Sequence, residues 1–209
     1  MGSEMCIRDR LIGRFVSFSM KAHLSAVYAA SAEGEVEIKR LDVSLSIEQR
    51  SLSVEQRAAN DPLILDLNRD GRYSLSGPGQ GIRFDINGDG VEELSAFVSG
   101  ADGFLALDRD GDGKITSGKE LFGDQHGALN GFLELASFDD NLDGWIDEQD
   151  KVFARLRVLT RAEDGTLSLR PLASYEIRAV SLEWHAAQAC LGSAGSINAL
   201  GRYTTTAGG

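Results

Sequence analysis

The sequence has few of the residues that mark several common classes of protein. Its 209 residues include 2 cysteines, Cys6 and Cys190, and 3 histidines. Two cysteines so far apart imply no disulfide framework, and the scattered histidines provide no Cys/His zinc spacing. The hydrophobic content of 42% and the charged content of 25% are ordinary for a globular protein.

Basic residues are also in the minority. The chain has 21 lysines and arginines against 32 aspartates and glutamates, and its formal net charge is -11. No basic stripe exists to pair with phosphates, which argues against nucleic acid as a partner. The acidic residues instead gather in short strings that could bind metal ions, and bound cations would neutralise much of their charge.

Long apolar runs are absent, so we expect no membrane span. Residues 11–20 are interrupted by Arg14 and lack a clear cleavage site, which argues against a signal peptide. Residues 1–10 resemble a translated sequencing adapter, and we expect them to be an artefact leader. Residues 11–60 are expected to form a β-rich N-terminal extension, because residues 41–47 alternate between apolar and polar side chains.

The most informative stretch is residues 139–150, which has the pattern of a calcium loop. Side-chain oxygens stand at positions one, three, five, nine and twelve: Asp139, Asn141, Asp143, Asp147 and Asp150. Gly144 at position six permits a sharp turn, and Trp145 at position seven would offer its carbonyl oxygen. Calcium takes about six to eight such oxygens. Because Asp150 replaces the usual longer Glu, we expect a weaker site or one completed by water.

The flanks of this loop predict helices. Residues 131–138 suit an entering helix with an apolar face, and residues 148–159 suit an exiting helix. The apolar stripe of the second helix consists of Val152, Phe153, Leu156 and Leu159. Helix, loop and helix together predict an EF-hand, whereas the alternative is a solvated acidic turn.

Two similar strings, residues 63–71 and 82–90, each run from an apolar strand into an Asp-x-Asn-x-Asp-Gly loop. The candidate ligands are Asp66, Asn68, Asp70 and Ser74 in the first loop, and Asp85, Asn87, Asp89, Val91 and Glu93 in the second. Gly77 and Ala96 stand at position twelve, so each loop needs a ligand from elsewhere in the chain. The alternative for both loops is a tight Asx-type turn without metal.

A further calcium loop follows a short predicted strand at residues 104–107. Its candidate ligands are Asp108, Asp110, Asp112, Thr116 and the carbonyl oxygen of Lys114. Position twelve is Lys119, which cannot bind a cation. We therefore predict a loop one residue longer, closed by Glu120.

These elements predict an α+β fold: short strands carrying Asp-rich calcium loops, then an EF-hand helix-loop-helix and a small C-terminal β region. Residues 172–175 suit a short helix, and residues 177–184 suit a strand. The tail from residue 192 is rich in glycine, serine, alanine and threonine, and is expected to form an edge hairpin or to fray.

The order of these strings resembles a calcium-binding module of bacterial secreted repeat-in-toxin-type proteins. The resemblance covers residues 60–206, and we expect residues 61–206 to form this module. Its most specific part is Glu-Leu-Phe-Gly-Asp at residues 120–124. The module is related to the self-processing module of iron-regulated toxin-like proteins, which cleaves its own chain at an Asp-Pro bond when calcium folds it.

The resemblance places that cleavage at Asp61-Pro62, which makes Asp61 and Pro62 candidate catalytic residues. An Asp carboxylate can attack its own backbone carbonyl, and the tertiary amide of proline leaves more easily once its nitrogen is protonated. A lysine amine or water would then trap the anhydride. The alternative interpretation is that Pro62 begins a strand and Asp61 is an ordinary turn residue.

Three hypotheses follow. The first is a calcium-binding module without enzymatic activity, in which calcium folds part of a secreted or surface bacterial protein. The second is calcium-triggered autocatalytic cleavage at Asp61-Pro62, and the third is a β-propeller carrying Asp-rich loops. Extracellular modules bind calcium at about 10⁻⁴ to 10⁻³ M, which suits loops without a bidentate glutamate.

Overall fold

The computed structural model describes residues 12–20, 61–76, 80–190 and 195–206, and this part of the chain is mostly β. Its ten strands are β1 Ile12–Met20, β2 Leu63–Asp66, β3 Ile82–Phe84, β4 Glu93–Ser95, β5 Asp102–Leu107, β6 Trp145–Ile146, β7 Leu156–Arg161, β8 Leu167–Pro171, β9 Ile177–Cys190 and β10 Gly195–Thr205. The helical elements are α1 Gly131–Ala136 and the 3-10 helices Gly118–Glu120, Phe153–Arg155 and Leu172–Tyr175.

Eight of the strands form one antiparallel sheet in the order β6-β9-β10-β1-β2-β5-β7-β8. The hairpin of β3 and β4 forms a separate two-stranded sheet. A propeller would instead divide its strands among radial four-stranded blades. The continuous sheet therefore excludes the β-propeller hypothesis for the described residues.

The central strands β2 and β5 are buried along their whole length, and their apolar residues lie on both faces of the sheet because both faces are covered. In β5, Leu105 and Leu107 point into one hydrophobic cluster, whereas Phe104 and Ala106 point into another. The first cluster also contains Phe132 of α1. This arrangement places the ends of β2 and β5, where Asp-rich loops begin, beside a rigid core.

The predicted α+β class is wrong, because the described residues contain no EF-hand helix-loop-helix. The predicted entering helix exists as α1, but the predicted exiting helix over residues 148–159 does not. Leu156 begins strand β7 instead and pairs with Leu107 of β5. The apolar residues of the segment 148–159 are spaced as in a helix, but pairing with β5 buries Leu156 and Leu159 in a strand. Tertiary packing overrides such a short periodic signal.

Other elements agree with the sequence pattern. The strands expected at residues 63–65, 82–84, 104–107 and 177–184 lie in β2, β3, β5 and β9, and the short helix expected at residues 172–175 is a 3-10 helix. Strand β10 lies between β9 and β1 and not at an edge of the sheet, so the expected edge hairpin is corrected. The strand predicted at residues 41–47 lies outside the described residues.

Candidate metal loops and the Asp61-Pro62 bond

Four Asp-rich loops follow regular elements, and we number them in chain order. Loop one begins at Asp66 at the end of β2, and loop two at Asp85 after β3. Loop three begins at Asp108 directly after β5, and loop four at Asp139 shortly after α1. Each loop therefore has its first acidic residue fixed by a neighbouring strand or helix.

All four loops share one backbone geometry. The glycines at position six have φ between 72° and 90°: Gly71, Gly90, Gly113 and Gly144. Their amides donate hydrogen bonds of 2.9 to 3.0 Å to the carboxylates at position one, namely Asp66, Asp85, Asp108 and Asp139. Only glycine adopts this positive φ at little cost, so the glycine allows each loop to turn around its first carboxylate.

Loop three brings its acidic groups closest together. Oxygen atoms of Asp108, Asp110 and Glu120 all lie within 4.8 Å of one another. Glu120 is 5% exposed, and it accepts hydrogen bonds from the amides of Thr116 (2.8 Å) and Arg109 (3.4 Å). The structure thus places Glu120 where a closing ligand would lie and turns the side chain of Lys119 elsewhere.

Loop four is closed by its own twelfth residue. Asp150 is 3% exposed and accepts hydrogen bonds from the amides of Asp147 (2.9 Å) and Asp140 (2.7 Å). The side-chain Nδ2 atom of Asn141 donates to Oδ2 of Asp143 at 2.9 Å, which holds the middle of the loop. Asp150 therefore makes the same backbone contacts in loop four as Glu120 makes in loop three.

Loop two contains three acidic side chains that lie close together, but a lysine also contacts it. Oxygen atoms of Asp85, Asp89 and Glu93 lie within 4.8 Å of one another. Burial, followed by the charges of Asp89 and Asp85, raises the pKa of Glu93, although a backbone hydrogen bond opposes this shift. The Nζ atom of Lys119 donates a hydrogen bond to the carbonyl oxygen of Gly88. Lys119 therefore brings a positive charge to loop two, which has no acid at position twelve.

Loop one faces an acidic residue from the neighbouring strand. Asp66 is 1% exposed and is paired in register with Asp102 of β5. The Oδ2 atom of Asp102 accepts a hydrogen bond of 2.6 Å from the amide of Ser74, which is position nine of loop one. Burial raises the pKa of Asp102 to about 6, and the charges of Asp66 and Asp70 add to this increase while the Ser74 amide opposes it.

The Asp61-Pro62 bond lies against the segment that follows loop three. Asp61 is 8% exposed, and the amide of Leu63 donates to the carbonyl oxygen of Phe122 at 3.0 Å. A Cβ atom on Gly123 would lie 3.4 Å from the carbonyl carbon of Asp61, so the two backbones are in close contact. The side chain of Asn198 donates to Oδ1 of Asp61 at 3.4 Å.

Asp124 contacts the backbone of the same residue. Its carboxylate accepts a hydrogen bond from the amide of Asp61. Burial raises the pKa of Asp124, although this bond, its own backbone amide and Gln125 lower it in part. The Oδ1 atom of Asp124 is buried without a hydrogen-bond partner. An acidic side chain thus holds the backbone of Asp61.

Glu134 of α1 fixes this segment from the other side. It is 5% exposed and accepts a hydrogen bond of 2.7 Å from the amide of Gly123. It also accepts a hydrogen bond of 2.6 Å from Nη2 of Arg109, and the Nδ1 atom of His126 lies 2.7 Å from its carboxylate. Because Arg109 belongs to loop three, Glu134 connects that loop to the segment beside Asp61.

A family model described as the SPM domain matches residues 63–209. The chain belongs to the SPM domain family. It is 34% identical over 159 residues to the iron-regulated protein FrpA of Neisseria meningitidis serogroup C. That alignment covers 71% of this chain and 14% of FrpA, so the chain spans only a small part of its relative's length.

Several residues of this SPM domain site were missed in the sequence. Asp102 is distant from loop one along the chain, and no local motif marks it. The sequence did contain a signal for Asp124, because this residue ends the Glu-Leu-Phe-Gly-Asp string on which the resemblance rests. Glu134 and Asn198 had no signal in the sequence, since only the fold brings them to Gly123 and Asp61. No helix among the described residues is long and apolar enough to cross a membrane.

Proposed function

We propose that this SPM domain cleaves its own chain at the Asp61-Pro62 bond when calcium binds its loops. The observation that carries the proposal is the packing of Asp61 against residues 121–124, which directly follow the closing acid of loop three. Self-processing is implied by the family, and the family match begins at Leu63, next to Pro62. The bond therefore lies at the start of the matched domain.

The chemistry uses the carboxylate of Asp61. One of its oxygen atoms attacks the backbone carbonyl carbon of Asp61 and forms a five-membered cyclic anhydride. The bond between that carbon and the nitrogen of Pro62 breaks, and the nitrogen takes up a proton and leaves as a secondary amine. Water then opens the anhydride to give two carboxylic acids, or a lysine amine opens it to give an amide and one carboxylic acid.

The surrounding residues would position this reaction. Asp124 and the close contact at Gly123 hold the backbone of Asp61, while Asn198 directs its side chain. Holding an attacking group near its target lowers the entropy cost of reaching the transition state. Asp124 is a positioning residue in this account, because its contact is with the amide of Asp61 and not with the carbonyl carbon.

Calcium would act through folding, because its ligands are carboxylates that repel one another without a cation. The residues that fit a calcium ion best are Asp108, Asp110 and Glu120 of loop three, whose oxygens already converge. Drawing Glu120 toward the ion also orders the residues after it, which contact Asp61. Loop four would bind a second ion through Asp139, Asn141, Asp143 and Asp150.

The relationship to FrpA and the loop chemistry support a secreted or surface protein exposed to millimolar calcium. In calcium-poor cytosol the acidic loops would remain without their cation, and the Asp61-Pro62 bond would stay intact. Cleavage would then follow export of the chain.

The test is to add calcium to the purified chain and to follow cleavage by gel electrophoresis and folding by circular dichroism. We expect two fragments, residues 1–61 and 62–209, in calcium but not in EDTA or magnesium. The variant Asp61→Ala should fold with calcium and remain intact. Samples must not be heated in acid, because Asp-Pro bonds are acid-labile.

The matched control is Asp164→Ala, which removes an exposed aspartate from a turn outside the four loops. Asp164→Ala should cleave at the wild-type rate. Calcium-dependent folding without any fragment would support the folding-module hypothesis and exclude self-cleavage. Cutting of Asp61→Ala at the same bond would show that a contaminating protease is responsible.

A further inference from the structure

We propose that Asp102 is the missing closing ligand of loop one, and that loop one is a calcium site built across strands β2 and β5. Asp66, Asn68 and Asp70 supply oxygen atoms from loop one itself, and Asp102 supplies the carboxylate that position twelve lacks. The inference rests on the calcium binding of the proposed function, but it does not depend on cleavage.

The sheet register brings Asp102 to the loop. Asp66 and Asp102 are paired residues of the antiparallel strands β2 and β5. Paired residues on neighbouring strands have Cβ atoms about 5 Å apart, so their side chains can share a ligand. Asp66 ends β2 and Asp102 begins β5, which places both carboxylates at the edge where loop one leaves the sheet.

The hydrogen bond to Asp102 is the one that marks closing acids in the other loops. In loops three and four, the amide at position nine donates to Glu120 at 2.8 Å and to Asp150 at 2.9 Å. In loop one, the amide at position nine belongs to Ser74 and donates to Asp102 at 2.6 Å. Asp102 therefore has the same relation to loop one as the closing acids have to their own loops.

The second oxygen of Asp102 points independently to a ligand. Asp102 is 2% exposed, and its Oδ1 atom has no hydrogen-bond partner. In loops three and four, the corresponding oxygen accepts a bond from the amide of Arg109 or Asp140. A buried carboxylate oxygen without a partner is costly, so an ion that binds it would remove this cost.

The charge around loop one suits a hard divalent cation. Loop one and Asp102 together offer three carboxylates and an amide oxygen, and the carbonyl at position seven belongs to Arg72. This gives the oxygen-only ligand set that calcium prefers in a flexible loop. The nearby Arg69 has a carboxylate partner outside loop one, because its Nη2 atom lies 3.8 Å from Oε2 of Glu176.

The test is to count bound calcium ions by isothermal titration calorimetry, with Asp61→Ala as the background so that the chain stays intact. We expect Asp102→Asn to bind one ion fewer, or to bind that ion at least tenfold more weakly. The matched control Asp164→Asn should bind as many ions as the background. An unchanged number of ions and unchanged affinities in Asp102→Asn would overturn the proposal.

A second variant guards against misfolding of Asp102→Asn, since Asp102 is buried. Asp70→Asn changes an exposed residue of loop one and should remove the same ion. The double variant should then lose no more than Asp70→Asn alone. Loss of two ions in the double variant, or an unchanged ion count in Asp70→Asn, would contradict a shared site.

Nuclear magnetic resonance on the Asp61→Ala background gives a direct measurement that needs no change at Asp102. Saturating calcium should shift the carboxylate signal of Asp102 and the amide signal of Ser74, and Asp70→Asn should abolish both shifts. An unshifted Asp102 signal would overturn the proposal. A chain that shows these shifts but never cleaves when Asp61 is present would contradict the proposed function alone.

Discussion

Loops three and four carry their closing acid within the loop, whereas loops one and two do not. Glu120 and Asp150 are the last residues of their loops, and both accept a hydrogen bond from the amide at position nine. In loop one, the amide at position nine donates the same bond to Asp102 of a neighbouring strand, and in loop two the Nζ atom of Lys119 donates to a backbone carbonyl oxygen. Four similar sequence motifs thus have three different kinds of closure.

The difference shows which part of a metal site a local motif specifies. The first six positions depend on glycine and on nearby aspartates, so the backbone of all four loops is the same. The closing ligand only has to lie near the loop in space. The comparison therefore predicts that loop three controls cleavage, that loop one depends on the sheet, and that loop two binds calcium least well.

The largest effect is expected from Glu120→Gln in loop three. It removes the closing charge and loosens the segment that contacts Asp61, and small misplacements of reacting groups cost about 100-fold in rate. Cleavage in calcium, followed by gel electrophoresis, should therefore fall by about 100-fold or more.

The matched variant is Asp150→Asn in loop four. It also removes a closing acid, but Asp150 is not followed in the chain by residues that contact Asp61. Asp150→Asn should reduce the cleavage rate less than Glu120→Gln at saturating calcium. Equal losses would mean that the two loops act only through global folding, and the special role of loop three would be wrong.

A smaller loss is expected for Asp124→Ala, which removes the acceptor of the Asp61 amide. The lost hydrogen bond to a charged group corresponds to about tenfold in rate. Asp124→Asn keeps an acceptor and should retain more of the rate. Both variants should bind as many calcium ions as wild type by calorimetry, and a lost ion would show that Asp124 acts on metal binding instead.

Removing the positive charge of Lys119 should strengthen calcium binding at loop two. Because Lys119 is an exposed charge, Lys119→Gln should raise the affinity of loop two by only about two- to fivefold. The amide signals of Gly90 and Val91, followed during a calcium titration, would report this site. Arg170→Gln removes an exposed charge elsewhere and should change nothing, whereas an equal gain in both variants would indicate a general charge effect.

The smallest predicted effect is the pH dependence of calcium binding at loop one. Burial raises the folded pKa of Asp102 to about 6, so a proton competes with calcium below that pH. The affinity of loop one should therefore rise as the pH increases toward 7, and calcium binding near pH 6 should release protons. Calorimetry in two buffers of different ionisation enthalpy measures this release, which Asp102→Asn should reduce and Asp164→Asn should not. Equal release in both variants would contradict it.

The sequence was informative where chemistry is local. The strand before each of loops one to three, the loop glycines and the placement of Glu120 follow from short patterns. The prediction of an exiting helix is wrong because Leu156 and Leu159 fit helical spacing as well as a buried strand. Only the pairing with β5 decides between the two. Asp102 and Asn198 depend on strand register, which no local pattern contains.

The most direct test of calcium-triggered self-cleavage is intact-mass spectrometry of the wild-type chain after transfer from EDTA to millimolar calcium. We predict that the mass of the chain disappears and that a fragment beginning at Pro62 appears, together with residues 1–61 as a free acid or joined to a lysine. A single unchanged mass, in a chain that circular dichroism shows to have folded with calcium, would contradict the account.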